Sequence, residues 1–65
     1  MHIRNRNIRL RTAIYESGLT QRAIATKTGI HESIMSMIVN GKYVPDVQQK
    51  RKIALVLRKD ETELF

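Results

Sequence analysis

The sequence predicts an all-helical domain built of five short helices, and three observations lead there. Gly18, Gly29 and Gly41 fall at nearly even spacing, and each closes a stretch in which apolar residues recur at three and four positions. Glycine reaches the left-handed conformation that ends a helix without a Cβ penalty, so these positions divide the chain more firmly than helix propensity does. Residues that favour helix starts open the later stretches: Thr20, Asp46 with Gln49, and Asp60 with Glu63. No alternating strand pattern of comparable quality competes with these signals.

The first helix is expected from about Arg4 to Ser17, with Leu10, Ala13, Ile14 and Ser17 on one stripe and Arg9, Arg11 and Thr12 opposite. Thr20 caps a second helix over Gln21 to Thr28, whose inward residues are Ile24 and Ala25. A third helix over His31 to Asn40 turns Ile34, Met35 and Ile38 inward. It leaves Glu32, Ser33, Ser36, Met37 and Asn40 exposed in varying degree. Pro45 restricts the entry to a fourth helix, Asp46 and Gln49 have the form of a capping box, and Val47, Ile53, Ala54, Val56 and Leu57 supply its apolar side. Asp60 with Glu63 repeats the capping pattern ahead of a short fifth helix, whose Leu64-Phe65 end closes the core.

Length and composition bound the function. A chain of 65 residues reads as one domain, 1–65, and buries only about 60% of the surface that its unfolded chain exposes. Without cysteine there is no disulfide and no thiolate zinc site, and His2 and His31 show no metal spacing. No nucleophile and base pair is recognisable, so the expectation is a protein that is not an enzyme and takes no metal and no cofactor. No apolar run approaches a spanning helix, and the stretch Met1-His2-Ile3-Arg4-Asn5-Arg6 lacks the hydrophobic core of a signal peptide, so a cytoplasmic location without membrane association is expected.

A net charge of +6 with a pI near 10.4 favours polyanionic partners. The excess is uneven: residues 1–42 hold seven basic and two acidic side chains, residues 43–65 five basic and four acidic. The polyanion-facing part is therefore expected in the first two thirds, although charge alone also fits a basic, merely solvated surface.

The second and third helices are too short to be stable alone, because isolated helices below about 12 residues are marginal in water. Counting from Gln21, a small residue stands fifth (Ala25), glycine ninth (Gly29), and apolar residues fourth, tenth, fifteenth and eighteenth (Ile24, Ile30, Met35, Ile38). Alanine lets two helix axes cross closely, glycine makes the sharp turn, and the apolar set fixes the angle. The third helix then keeps one face on the core while the other protrudes, as entry into a major groove about 12 Å wide requires.

With these residues the chain resembles the Cro/phage-repressor (XRE) type of helix-turn-helix family. The resemblance runs through Leu10-Arg11, Gly18-Leu19-Thr20-Gln21, Ala25, Gly29-Ile30, Ser33, Met35-Ser36, Ile38, Asn40-Gly41-Lys42, Pro45, Ile53-Ala54, Leu57 and Glu63-Leu64-Phe65, without a gap from Gly18 to Phe65. It implies a five-helix, lambda-repressor-like DNA-binding domain with the helix-turn-helix over residues 21–40. Such a domain regulates transcription, usually as a repressor, by binding a double-stranded DNA operator as a homodimer. Carried over by position, Glu32, Ser33 and Met37, with Ser36 as a weaker candidate, face the bases. Gln21, Arg22, His31, Asn40, Lys42 and Arg11 face the phosphates. The chain departs from the family pattern at Ile14, where a basic residue is common, and at Val39, where an acidic one is, so that together they remove a surface ion pair. Lys50 and Arg51 replace frequent leucines in the fourth helix, and Arg58 stands where glycine is frequent.

Several of these residues have competing roles. Glu32 can accept a hydrogen bond from cytosine N4 or complement the dipole at the start of the third helix. Ser33 can bond a base edge or a phosphate, His31 can cap the third helix or reach a phosphate, and Met37 can pack on a thymine methyl or on a second copy of the chain. Arg4, Arg6, Arg9 and Arg11 form a run that contacts phosphates or the minor groove, or else a solubilising helix face. Tyr15 and Tyr43 read as core-rim or backbone-contacting groups. An antitoxin or other protein-interaction module on the same fold would expose an apolar patch around Met37, Val39, Tyr43 and Val44 for a protein partner. A basic amphipathic element lying on membranes conflicts with three cap glycines.

Overall fold

A computed structural model describes residues 7–65, which form five α-helices: α1 (Ile8–Ser17), α2 (Gln21–Thr28), α3 (Glu32–Val39), α4 (Val47–Leu57) and α5 (Glu61–Leu64). Among the described residues there is no strand.

The helix ends follow local hydrogen-bond rules. Gly18, Gly29 and Gly41 all have positive φ, as helix ends that reverse direction require. After α3 the Gly41 N–H donates to the Ile38 carbonyl (3.1 Å) and the Lys42 N–H to the Met37 carbonyl (2.8 Å), a complete Schellman closure. The Thr20 hydroxyl accepts from the Ala23 N–H (3.0 Å) at the start of α2. Asp46 and Gln49 form the expected capping box, each side chain accepting from the other's backbone N–H at 2.8 and 2.9 Å. The Asp60 N–H donates to Glu63 (3.0 Å) at the start of α5.

The first helix starts later than expected. Asn7 is its N-cap: the side-chain oxygen accepts from the Leu10 N–H (3.0 Å), and the amide donates to the Leu64 carbonyl (2.7 Å). One side chain thus caps α1 and joins it to the end of α5, so the helix begins at Ile8 and not near Arg4. Arg4, Arg6 and His2 lie outside the described residues.

Each helix places one fully buried side chain in the core: Leu10 from α1, Ile24 from α2, Met35 from α3, Ile53 from α4 and Leu64 from α5. Ala13, Ala25, Ile30, Ile38, Ala54 and Leu57 complete the expected interior, with Ile14, Ile34, Val56 and Phe65 half-buried against it. Three expectations are corrected. Ser17 is exposed and serves the turn, donating to the Ile14 carbonyl (2.6 Å) and accepting from the Leu19 N–H (3.0 Å). Val47, in the first turn of α4, is exposed, ahead of the part of that helix that packs. Val39 is only 4% exposed and belongs to the core, with Ile14 half-buried against it, so the two departures lie at the edge of the interior and not on the open surface: they extend the apolar core where the family pattern sets opposite charges.

Lys50 and Arg51 leave the packing of α4 intact, because Ile53, Ala54 and Leu57 carry it. The Lys50 ammonium lies 5.9 Å from the centroid of the Phe65 ring, and Arg51 pairs with Glu61 at 3.7 Å, so both tie α4 to α5. Arg58 ends α4 with φ +57° and is the one non-glycine residue with positive φ among those described. Its N–H donates to the Leu55 carbonyl (3.3 Å) and that of Lys59 to the Ala54 carbonyl (3.0 Å). This closure favours glycine. Left-handed backbone costs an L-residue roughly 1–2 kcal/mol, and the greater unfolded-state freedom of glycine offsets part of the gain. Arg58→Gly is therefore expected to stabilise the domain by about 0.5–1 kcal/mol, read as a thermal midpoint a few degrees higher. An unchanged or lower midpoint would show that the arginine side chain contributes more than its backbone costs.

Candidate nucleic-acid interface

The α2–α3 turn is fixed from inside. Thr28 is buried, and its hydroxyl lies within hydrogen-bond distance of the Ile24 (2.8 Å) and Ala25 (3.1 Å) carbonyls while accepting from the Ile30 N–H (3.3 Å). The Gly29 N–H donates to the Ala25 carbonyl (2.9 Å), and Ile30 then enters the core. Both helices are thereby seated on the interior by Ile24, Ala25, Ile30, Met35 and Ile38. Thr28 was not singled out from sequence. Its only signal is a hydroxyl residue immediately before the turn glycine.

The start of α3 is the exposed tip of this pair, presenting His31, Glu32 and Ser33 to solvent. His31 caps the helix: its Nδ1 accepts from the Ser33 N–H (3.2 Å) and lies 2.9 Å from the Ser33 hydroxyl. Two residues expected to meet DNA separately are thus joined in the free protein. Glu32 likewise meets Arg22 of α2, carboxylate to Nε at 3.3 Å. Both side chains remain substantially exposed, so the pair adds little to stability. What it does is hold a cation beside the only acidic side chain between Gln21 and Lys42.

Behind this tip the exposure falls. Ser36 and Met37 are half-buried, so Met37 offers only part of its side chain to a groove and is less free than its spacing predicts. Asn40 is also half-buried. Its amide donates to the Ser36 carbonyl (3.0 Å), and its oxygen accepts from Arg11 of α1 at 3.4 Å. Arg11, Asn40 and Lys42 therefore gather at the α3 end of the interface, with Lys42 exposed after the Gly41 turn. Gln21, half-buried at the start of α2, lines a surface depression together with Arg11 and Val39. Arg9 points elsewhere, reaching the Thr62 carbonyl of α5 at 3.4 Å.

The structure breaks up the apolar patch expected around Met37, Val39, Tyr43 and Val44. Val39 is core and Met37 half-covered, which leaves the strongly exposed Val44, the partly exposed Tyr43 and the nearby Val47. Among the described residues no group of three or more His, Asp or Glu could hold a metal ion, and no helix is long and apolar enough to cross a membrane.

Compared with known proteins, residues 8–64 match the model of the family described as helix-turn-helix, a span that runs from the first residue of α1 to the last of α5. No curated protein and no solved structure matches the chain.

Proposed function

The chain belongs to the XRE-type helix-turn-helix family of DNA-binding regulators, and from that premise we propose that it is a sequence-specific transcriptional repressor that places α3 in the major groove. The observation that carries this reading is the exposed tip of α3, held at a fixed angle to α2 and bordered by Arg22, Arg11, Asn40 and Lys42. In the complex Glu32, Ser33 and the free part of Met37 face base edges, with Ser36 behind them. Gln21, Arg22, His31, Asn40, Lys42 and Arg11 lie along the phosphates.

An acidic side chain brought towards DNA is repelled by phosphate unless a base edge accepts it and a cation screens it. Cytosine N4 is a donor that can satisfy Glu32 in the groove, and Arg22 at 3.3 Å supplies the screening charge. In this reading residues 1–65 act as a single domain in the cytoplasm, as a homodimer on an inverted operator. The exposed Val44 and Val47 and the half-buried Phe65 support pairing of two copies on the α4–α5 side. The same valines support the second reading, an antitoxin that also binds a protein partner.

Glu32→Gln is expected to change the preferred base pair at one position of each half-site, where an amide favours adenine over cytosine. Affinity for the original site should fall by roughly 1–3 kcal/mol. The measurement is selection of sites from a random duplex library by both proteins. An unchanged preference would leave Glu32 only the helix dipole and Arg22.

A further inference from the structure

Tyr15 is 87% exposed, the most exposed of the large hydrophobic side chains among the described residues. An aromatic ring in water with no apolar cover forgoes the burial that such a ring usually supplies. Its position is not isolated. Arg11 lies one helical turn earlier on the same face of α1. Tyr15 and Arg11 line the same depression as Gln21, over a floor of Ile14, Leu19 and Val39, and no carboxylate lines it. The rim therefore carries a guanidinium, an amide and a phenol, and the floor is apolar because Ile14 and Val39 are uncharged.

A nucleic-acid backbone alternates an anionic phosphate with an apolar sugar face, and tyrosine is among the side chains that hydrogen-bond phosphate oxygens. We propose that Tyr15 is a further DNA-backbone contact: its hydroxyl donates to a phosphate oxygen shared with Arg11 and Gln21, while its ring and the depression's floor pack on the adjoining deoxyribose. This rests on the DNA-binding reading above and adds a neutral anchor on α1 to the charged contacts of α2 and α3. Such a contact positions the domain without reading sequence.

The test is affinity of the full chain for two labelled duplexes, a selected operator and a scrambled one, over a series of salt concentrations. Tyr15→Phe is expected to weaken both about threefold and Tyr15→Ala about tenfold. The slope of log affinity against log salt should not change, because a phenol displaces no counterion. The thermal midpoint should also hold, since the side chain is exposed and alanine is the better helix former. Arg11→Ala, by contrast, should lower the slope by about one unit. Unaltered affinity of Tyr15→Ala, or a loss confined to the operator, overturns the proposal while DNA binding stands. If the unaltered chain binds neither duplex, DNA binding itself fails and the proposal with it.

Discussion

Ile24→Ala is expected to destabilise the domain by about 3 kcal/mol and to abolish DNA binding at temperatures where the unaltered protein binds. Ile24 is fully buried in the middle of α2, and truncating such a side chain costs roughly 2–5 kcal/mol, part transfer and part unfilled cavity. At about 0.05–0.15 kcal/mol per residue, a domain of this length has only about 3–10 kcal/mol in total. The loss therefore removes a large share of it. The functional consequence follows from helix length: α2 and α3 have eight residues each, too few to persist without their seat on the core. Thermal and urea unfolding followed by circular dichroism measures the effect, and Ile8→Ala, at a 63% exposed position, is the control expected to stay within about 0.5 kcal/mol. A loss below about 1 kcal/mol for Ile24→Ala would mean that α2 is not seated as described.

Val39→Glu should cost about 2–4 kcal/mol, and adding Ile14→Arg should recover most of that loss. The family pattern often carries a basic residue at position 14 and an acidic one at 39, whereas here both are apolar and border the same depression. Val39 is nearly fully buried, so a lone carboxylate placed there loses hydration without gaining a partner of its own. Arg11 at the rim offsets part of the penalty, but its guanidinium already reaches Asn40 at 3.4 Å. A guanidinium at position 14 supplies the missing counter-charge. The two substitutions should therefore couple by about 2 kcal/mol in a double-mutant cycle of unfolding free energies. Additive effects would show that the two positions do not meet across the depression.

Much of the fold was legible because its signals are local. Three positive-φ glycines, the Thr20 cap and the capping residues at 46/49 and 60/63 are each short-range hydrogen-bond devices, and the one fully buried residue in each helix follows from apolar spacing. What was missed depends on distant partners. Asn7 is a residue type suited to capping, but its second bond is to Leu64, 57 positions away, and the arginine run around it reads as more helix. Val39 lies four residues after the buried Met35, so its inward orientation was available from periodicity. The family pattern, which favours an acidic residue there, argued the other way.

The candidate site was legible as a set of positions but not as a network. The family resemblance and charge singled out Glu32, Ser33 and Arg22 individually. They could not show that Glu32 pairs with Arg22 across the turn, or that Ser33 and His31 share a hydrogen bond in the free protein. Nor could they show that Met37 is half-covered, because that depends on where the chain goes after Gly41. Arg58 was visible only as a departure from a family glycine, and its φ of +57° is what gives that departure an energetic cost.

Enrichment of sites from a random duplex library tests whether α3 reads base sequence in a two-fold complex. The purified chain would be used at roughly 100 mM salt, so that sequence-independent phosphate binding is partly suppressed. Inverted half-sites with centres about one helical turn apart are the predicted result. A pool that remains indistinguishable from bulk DNA would contradict base readout by Glu32, Ser33 and Met37.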